Sequence, residues 1–451
     1  MSEALETAER ALAAAEADEA EVVVHTERSG LARFAASEIH QPTLIDNAVV
    51  RLHVVRDGRV GAAATNRLGD DGLRALAQRA GEAAESAHPD DSFPGLAPAA
   101  KPTAVESYDE ETATMTPADL ARLARTALGE NAGLGLYGYV TSAITELAIA
   151  STTGLRVAQR STDASVLVLA ADEGASGYAA ATSRRVADLD PAATAREAVE
   201  KGGRTRDPAD FEPGVVRAVL EAHAVADLLD YFSFDAFNGL ALLEERSYLA
   251  DRIDERIADE KVSIADDPLD PRGLPRAFDF EGTPAQRVAL VEQGIARGAV
   301  WDRTTAARAG RESTGHGLPP EYRIYGALPL SLSMEPGDST LDELAEAVGE
   351  GIWVTRLHYL GVVDPRHGIV TGMTRDGTFR IRDGKPAEPL PNLRFTVAVP
   401  DVIADVPALG RDLVLVNRSD FYGERTPQAA LVPALATGRF TVTGVGSGPG
   451  L

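Results

Sequence analysis

The chain has 451 residues, a formal net charge of −25 and no cysteine. Its length predicts two or three domains, and 44% hydrophobic with 25% charged residues is the make-up of a folded globular protein, which excludes a disordered chain. The charge excludes a phosphate-neutralising surface, so no nucleic-acid partner is expected; the missing cysteine removes disulfides, thiolate nucleophiles and cysteine-ligated zinc.

No run of about 18 apolar residues occurs, so no membrane partner is expected either. The acidic, Ala/Leu-rich start lacks the basic and apolar regions of a secretory signal, and a cytoplasmic location is the expectation.

Leu5, Ala8, Leu12 and Ala15 at helical spacing predict a first helix. "EVVVHTERSGLARFA" then reads as two strands around a small turn at Gly30, and "AVVRLHVVRDGRVGAAAT" as a hairpin closed by Asp57-Gly58. A helix follows in "GAAATNRLGDDGLRALAQRAGEAAE". The whole pattern then returns: a helix with Leu120, Leu123 and Leu128, "ELAIASTTGLRVAQ" turning at Gly154, "ASVLVLAADEGASGYAAAT", and "YAAATSRRVADLDPAATAREAVE". Thr116-Pro117-Ala118-Asp119 is a helix start signal, with an N-cap, a proline at the first helical position and a capping-box acid. The Pro-rich, acidic stretch 88–115 between the copies reads as an extended connection.

These signals predict an N-terminal α+β domain over 1–205 with an internal duplication, its copies at about 1–85 and 116–201. "GGRTRDPADFEPG" marks the boundary, and a β-rich domain over 213–451 follows. That domain opens on one long helix, in which Val225, Leu228, Leu229, Phe232 and Ala236 face a core and Gly239 is a stop. Strands come next, with turns at Glu292-Gln293-Gly294, Asp376-Gly377 and Asp383-Gly384, and a helix in "TLDELAEAVGEG". "LRFTVAVPDVIADV", "DLVLVN", "AALVPAL" and "RFTVTGV" supply the last strands, and "GVGSGPGL" a flexible tail. The fold class is α+β: a duplicated helix and antiparallel-sheet unit, then a large curved antiparallel sheet.

Few residues advertise chemistry. Asp230 and Asp235 stand five apart in "LLDYFSFDAFNG", about 140° around a helix, so a single metal would reach both only if the helix were distorted. Solvated or interface polar positions are the plainer reading. None of the eight histidines pairs with another at three, four or five residues, so no HExxH-type site can be written. His316 and His367, the latter beside Asp364 and Arg366, lie in Gly/Pro-rich loops where binding groups are displayed; the plain alternative for each is an idle surface residue. Neither a G-x-x-x-x-G-K-[ST] nor a G-x-S-x-G motif occurs.

"VVRAVLEAHAVADLLDYFS", followed by "DDPLDPRGLPRAFDFEG" and "LVEQGIARGAVWD", resembles the TldD/PmbA (TldE) metallopeptidase family over about Val215 to Asp364. In that family TldD-like chains carry an HExxxH zinc motif on the helix opening the C-terminal domain, with a later cysteine as another ligand, and TldE-like chains lack it. The resemblance places the motif's first His at Asp230, its Glu at Tyr231 and its second His at Asp235. It thus implies a TldE-like subunit with no catalytic residue and no metal of its own. Zinc would come from a TldD-like HExxxH partner in a heterodimer or larger heteromer, and the substrate would be an unfolded or modified precursor peptide. A stand-alone hydrolase using Asp230 and Asp235 or the His316 and His367 loops, and a peptide-binding scaffold, are the alternatives.

Overall fold

The computed structural model describes residues 2–419 and 424–446. Its first half is the duplicated unit. Helix α1 (Glu3–Ala13), strands β1 (Glu19–Ala35), β2 (Glu38–Arg56) and β3 (Arg59–Thr65), and helix α2 (Asp70–Ser86) form one copy. A short α3 (Glu110–Ala113) in the connection precedes α4 (Pro117–Leu128), β4 (Gly135–Ser151), β5 (Arg156–Asp172), β6 (Ala175–Ser183) and α5 (Pro191–Gly203), the second copy. Antiparallel pairing of β1 with β4 joins the copies into one six-stranded sheet of order β3-β2-β1-β4-β5-β6. The α4 start carries both halves of the capping box, Thr116 to the Asp119 amide and Asp119 back to the Thr116 amide.

One turn falls elsewhere than expected. β1 runs straight through Gly30, and the chain reverses at Ala36 and Ser37, both at positive φ (48° and 62°). Gly30 is instead a close approach: a Cβ there would lie 2.6 Å from Leu120 Cδ1 on α4. In the second copy Gly154, at φ 89°, does sit in the turn.

The second half winds around an eleven-stranded sheet. Its elements are β7 (Gly214–Leu220), α6 (Ala222–Ala236), α7 (Gly239–Leu243), β8 (Ile264–Asp266), β9 (Val288–Glu292), β10 (Ile295–Ala296), α8 (Arg303–Arg308) and β11 (Leu332–Met334). They continue with α9 (Leu341–Val348), β12 (Gly351–Asp364), β13 (Ile369–Arg382), β14 (Lys385–Pro389), β15 (Leu393–Ala398), α10 (Val399–Ala404), β16 (Leu409–Asn417) and β17 (Ala429–Val445). Most pairings are antiparallel, while β12 with β7 and β11 with β17 are parallel. The expected turns at Gln293-Gly294 and Asp383-Gly384 are present.

Asp376-Gly377 lies inside β13, where the pairing with β12 skips a residue, so it is a bulge and not a turn. "LRFTVAVPDVIADV" divides into β15 and α10, because Pro400 opens a helix within what reads as strand. α6 stops at Ala236, with Gly239 starting α7. Beyond Gly446 the glycine-rich tail lies outside the described residues.

Candidate functional site

Helix α6 is positioned by its apolar face. Val225, Leu228, Leu229, Phe232 and Ala236 are all buried in the main core of the second half, which fixes the opposite, polar face toward β12 and β16. Glu221 at the helix start accepts from Trp353 Nε1 (2.7 Å) and Lys201 Nζ (2.7 Å), tying β12 and α5 to it. Asp227, nearly two turns further, accepts from the Leu357 amide (3.2 Å) and Arg418 Nη1 (3.0 Å).

The three positions singled out on α6 do not converge. Asp235 is in an ion pair with Arg246 from the segment after α7. Asp230 makes no ion pair among the described residues but acts on Arg418 electrostatically: burial disfavours that guanidinium's charge, and Asp230 and Asp227 outweigh it. Tyr231 is half-buried, and burial together with the carboxylates of Asp230 and Asp227 pushes its phenol above 10. Two carboxylates about 140° apart around a helix, one of them paired with Arg246, do not fit zinc, which needs three or four Cys, His or Asp/Glu donors converging at about 2.0–2.3 Å. Among the described residues, no group of three or more His, Cys, Asp or Glu side chains is arranged to hold a metal ion.

What lies beside α6 is a cavity of about 490 Å³. Its lining includes Tyr178, His223, Asp227, Tyr231, Arg356 and Arg418. Burial, then Lys201, Arg418 and Arg356, push His223 down to about 3, so this imidazole is neutral at physiological pH. Arg356 is neutralised by Asp376 and stacks 4.5 Å from the Tyr178 ring. The sequence reading missed this group because its members come from β6, α6, β12 and the residue after β16. The one available signal was a charge, Arg418, at the end of the apolar run "DLVLVN".

His316 is not displayed. It is buried, with Nε2 2.8 Å from Asp266 Oδ2, because the "STGHG" loop folds inward against β8. His367 is exposed on a short 3-10 turn, hydrogen-bonded to Asp364, while Arg366 reaches back to the Glu245 and Ser247 carbonyls. The structure pairs Asp364 with His367, turns Arg366 toward Glu245, Ser247 and Asp251, and leaves His316 apart from all three.

"DDPLDPRGLPRAFDFEG" buries acids that mainly hold backbone. Asp279 accepts from the amides of Glu281, Thr283 and Gly317 at 2.7–2.9 Å. Burial, then the neighbouring Asp279, push Glu281 up to about 8. Unfolding releases that constraint, so between the ordinary value of 4.5 and about 8 the folded chain holds a proton the unfolded chain has lost. This site's contribution is complete below about pH 4.5 and falls as pH rises through 8. Glu281→Gln, which mimics the protonated form, is expected to flatten that loss in urea unfolding midpoints measured from pH 5 to 9. A variant with the wild-type pH slope would contradict it.

Comparison with known proteins agrees with this architecture. A profile of the PmbA/TldA metallopeptidase C-terminal domain matches residues 213–444; profiles of domain 1 and the central domain of the same family match 20–84 and 70–204. A metalloprotease of Methanothermobacter thermautotrophicus is 31% identical over 179 residues, 39% of this chain and 38% of that one. The zinc metalloprotease TldD homolog of Saccharolobus solfataricus is 29% identical over 142 residues, 31% of each chain. The matches thus span roughly a third of these relatives' length. TldE from Thermococcus kodakarensis superposes with a TM-score of 0.85 at 21% identity, covering 95% of this chain and 97% of that one. A Thermotoga maritima protein, proposed as a modulator of a DNA gyrase, gives 0.84 at 19% identity, over 97% of this chain and 99% of that one. With the C-terminal domain profile spanning more than half of its residues, this chain belongs to the PmbA/TldD metallopeptidase family.

Proposed function

We propose that this chain is the TldE-like, non-catalytic subunit of a heteromeric zinc metallopeptidase, with the zinc and its HExxxH motif supplied by a TldD-like partner. What supports this reading is the donor set on α6: Asp230, Tyr231 and Asp235, which the resemblance sets at the three motif positions, offer two carboxylates and a phenol, with Asp235 paired to Arg246 and Asp230 in the field of Arg418. A phenol raised above 10 is the wrong base for activating water at neutral pH. Zinc, when bound in the partner, activates a water for attack on a peptide carbonyl. This chain's own contribution is to bind the partner and hold part of an unfolded or modified precursor peptide in the cytoplasm.

The test is peptide cleavage by the chain alone, by a TldD-like chain alone, and by the two mixed. Cleavage is expected only where the HExxxH chain is present, and is fastest in the copurifying mixture. Cleavage by this chain alone would instead make it a stand-alone hydrolase, and a mixture that neither copurifies nor gains activity would leave it a scaffold for something else.

A further inference from the structure

Arginine can grip a carboxylate through Nε–H and the parallel Nη2–H, and this chain uses that edge repeatedly. Arg425 holds Asp163, Arg185 holds Asp188 and Arg272 holds Asp270 in this way. Arg418 has the same edge unpaired. Its Nη1 donates to Asp227, whereas Nε and Nη2, both shielded from solvent, meet no acceptor among the described residues.

Leaving two donors of a charged group buried and unpaired is costly. The species that relieves both at once is a planar anion with two oxygens. The surroundings suit one. Arg418 lines the 490 Å³ cavity together with Tyr178, Tyr231, neutral His223, His358 and Asn417, which offer aromatic surface and uncharged polar groups. Of the carboxylates nearby, Asp376 is engaged by Arg356 and Asp227 by Arg418 Nη1; Asp230 attracts Arg418 without bonding to Nε or Nη2.

We propose that this cavity is a receptor for a peptide carboxylate, gripped by the Nε/Nη2 edge of Arg418, so that the subunit anchors one end or one acidic side chain of the substrate. The inference rests on the proposed peptide substrate. A carboxylate reaching this edge, which is covered in this structure, displaces the lining side chains over it and needs no metal and no proton transfer: binding is a two-point, charge-assisted hydrogen bond, with Tyr178 and Tyr231 among the lining residues.

Calorimetric titration of the isolated full chain tests this with three peptides: an N-acetylated Ala/Leu tetrapeptide with a free C-terminus, its C-terminal amide, and an amide whose last residue is Glu. The free acid is expected to bind at least about tenfold more tightly than the plain amide. Binding of the Glu amide at the level of the free acid would assign the site to acidic side chains as well as chain ends. Arg418→Lys keeps a cation for Asp227 but has no parallel edge, so it should cost about tenfold in affinity for the free acid while leaving the thermal unfolding midpoint near wild type. Asp230→Asn, which removes a competing carboxylate, should tighten binding. Equal affinity for all three peptides, no binding of any of them, or an Arg418→Lys chain that folds and binds like wild type would overturn the proposal. None of those results bears on zinc content or partner-dependent cleavage, so the two readings fail separately.

Discussion

Arg425→Met is expected to destabilise the chain more than any other single change in its polar network, by about 3–5 kcal/mol. Arg425 is among the largest fully buried side chains, and Asp163, its bidentate partner on β5, is buried too. The pair joins the segment between β16 and β17 to the six-stranded sheet, and the Arg425 amide adds a bond to Glu27 on β1 (3.0 Å). Removing the guanidinium strands the Asp163 carboxylate in a place with almost no water, which is where the penalty lies. The double change Asp163→Asn with Arg425→Met removes the stranded charge, so it should recover part of the loss. Urea unfolding followed by circular dichroism gives both numbers. An Arg425→Met chain within about 0.5 kcal/mol of wild type would show that the pair contributes nothing net.

A second large effect is expected twice, once in each copy of the duplicated unit. A Cβ on Gly61 in β3 would lie 2.3 Å from both the Ala80 carbonyl oxygen and the Ala84 nitrogen of α2. On Gly177 in β6 the corresponding contacts are 2.2 Å from the Ala198 oxygen and the Gly202 nitrogen of α5. Neither glycine is at positive φ, so the cost is of packing alone. The obstructing atoms are helix backbone, which cannot swing aside as a side chain can, so α2 or α5 must lift off its strand. Gly61→Ala and Gly177→Ala should each lose about 1–3 kcal/mol or more. Gly203→Ala, at the end of α5 with open space around its Cβ position, is the control and should be neutral or slightly stabilising. Two variants as stable as the control would mean that the helices rest less tightly on the sheet.

Those two glycines also show what the sequence discloses and what it hides. The repeat around "GAAAT" and "GYAAAT" is visible because alternation, hairpin dipeptides and the Thr116 capping box are local signals, each set by residues a few positions apart. The roles of Gly30, Asp376-Gly377 and His316 depend on Leu120, Thr355 and Asp266, partners far along the chain, and local rules assigned the first two to turns and the third to a displayed loop. Pro400 was the exception: a legible helix opener inside a run whose apolar residues read as strand. The candidate site follows the same division. Asp230, Tyr231 and Asp235 stand out in sequence because family resemblance marks their positions. Arg418 and His223 gain meaning only once β6, α6, β12 and β16 meet around one cavity.

The central claim is that the α6 positions leave zinc to a partner subunit. Elemental analysis of the purified full chain, after equilibration with a slight excess of zinc and extensive dialysis, addresses it directly. The expected result is far less than one zinc per chain, unchanged by Asp230→Ala or Asp235→Ala. One zinc per chain, lost in both variants, would contradict the claim.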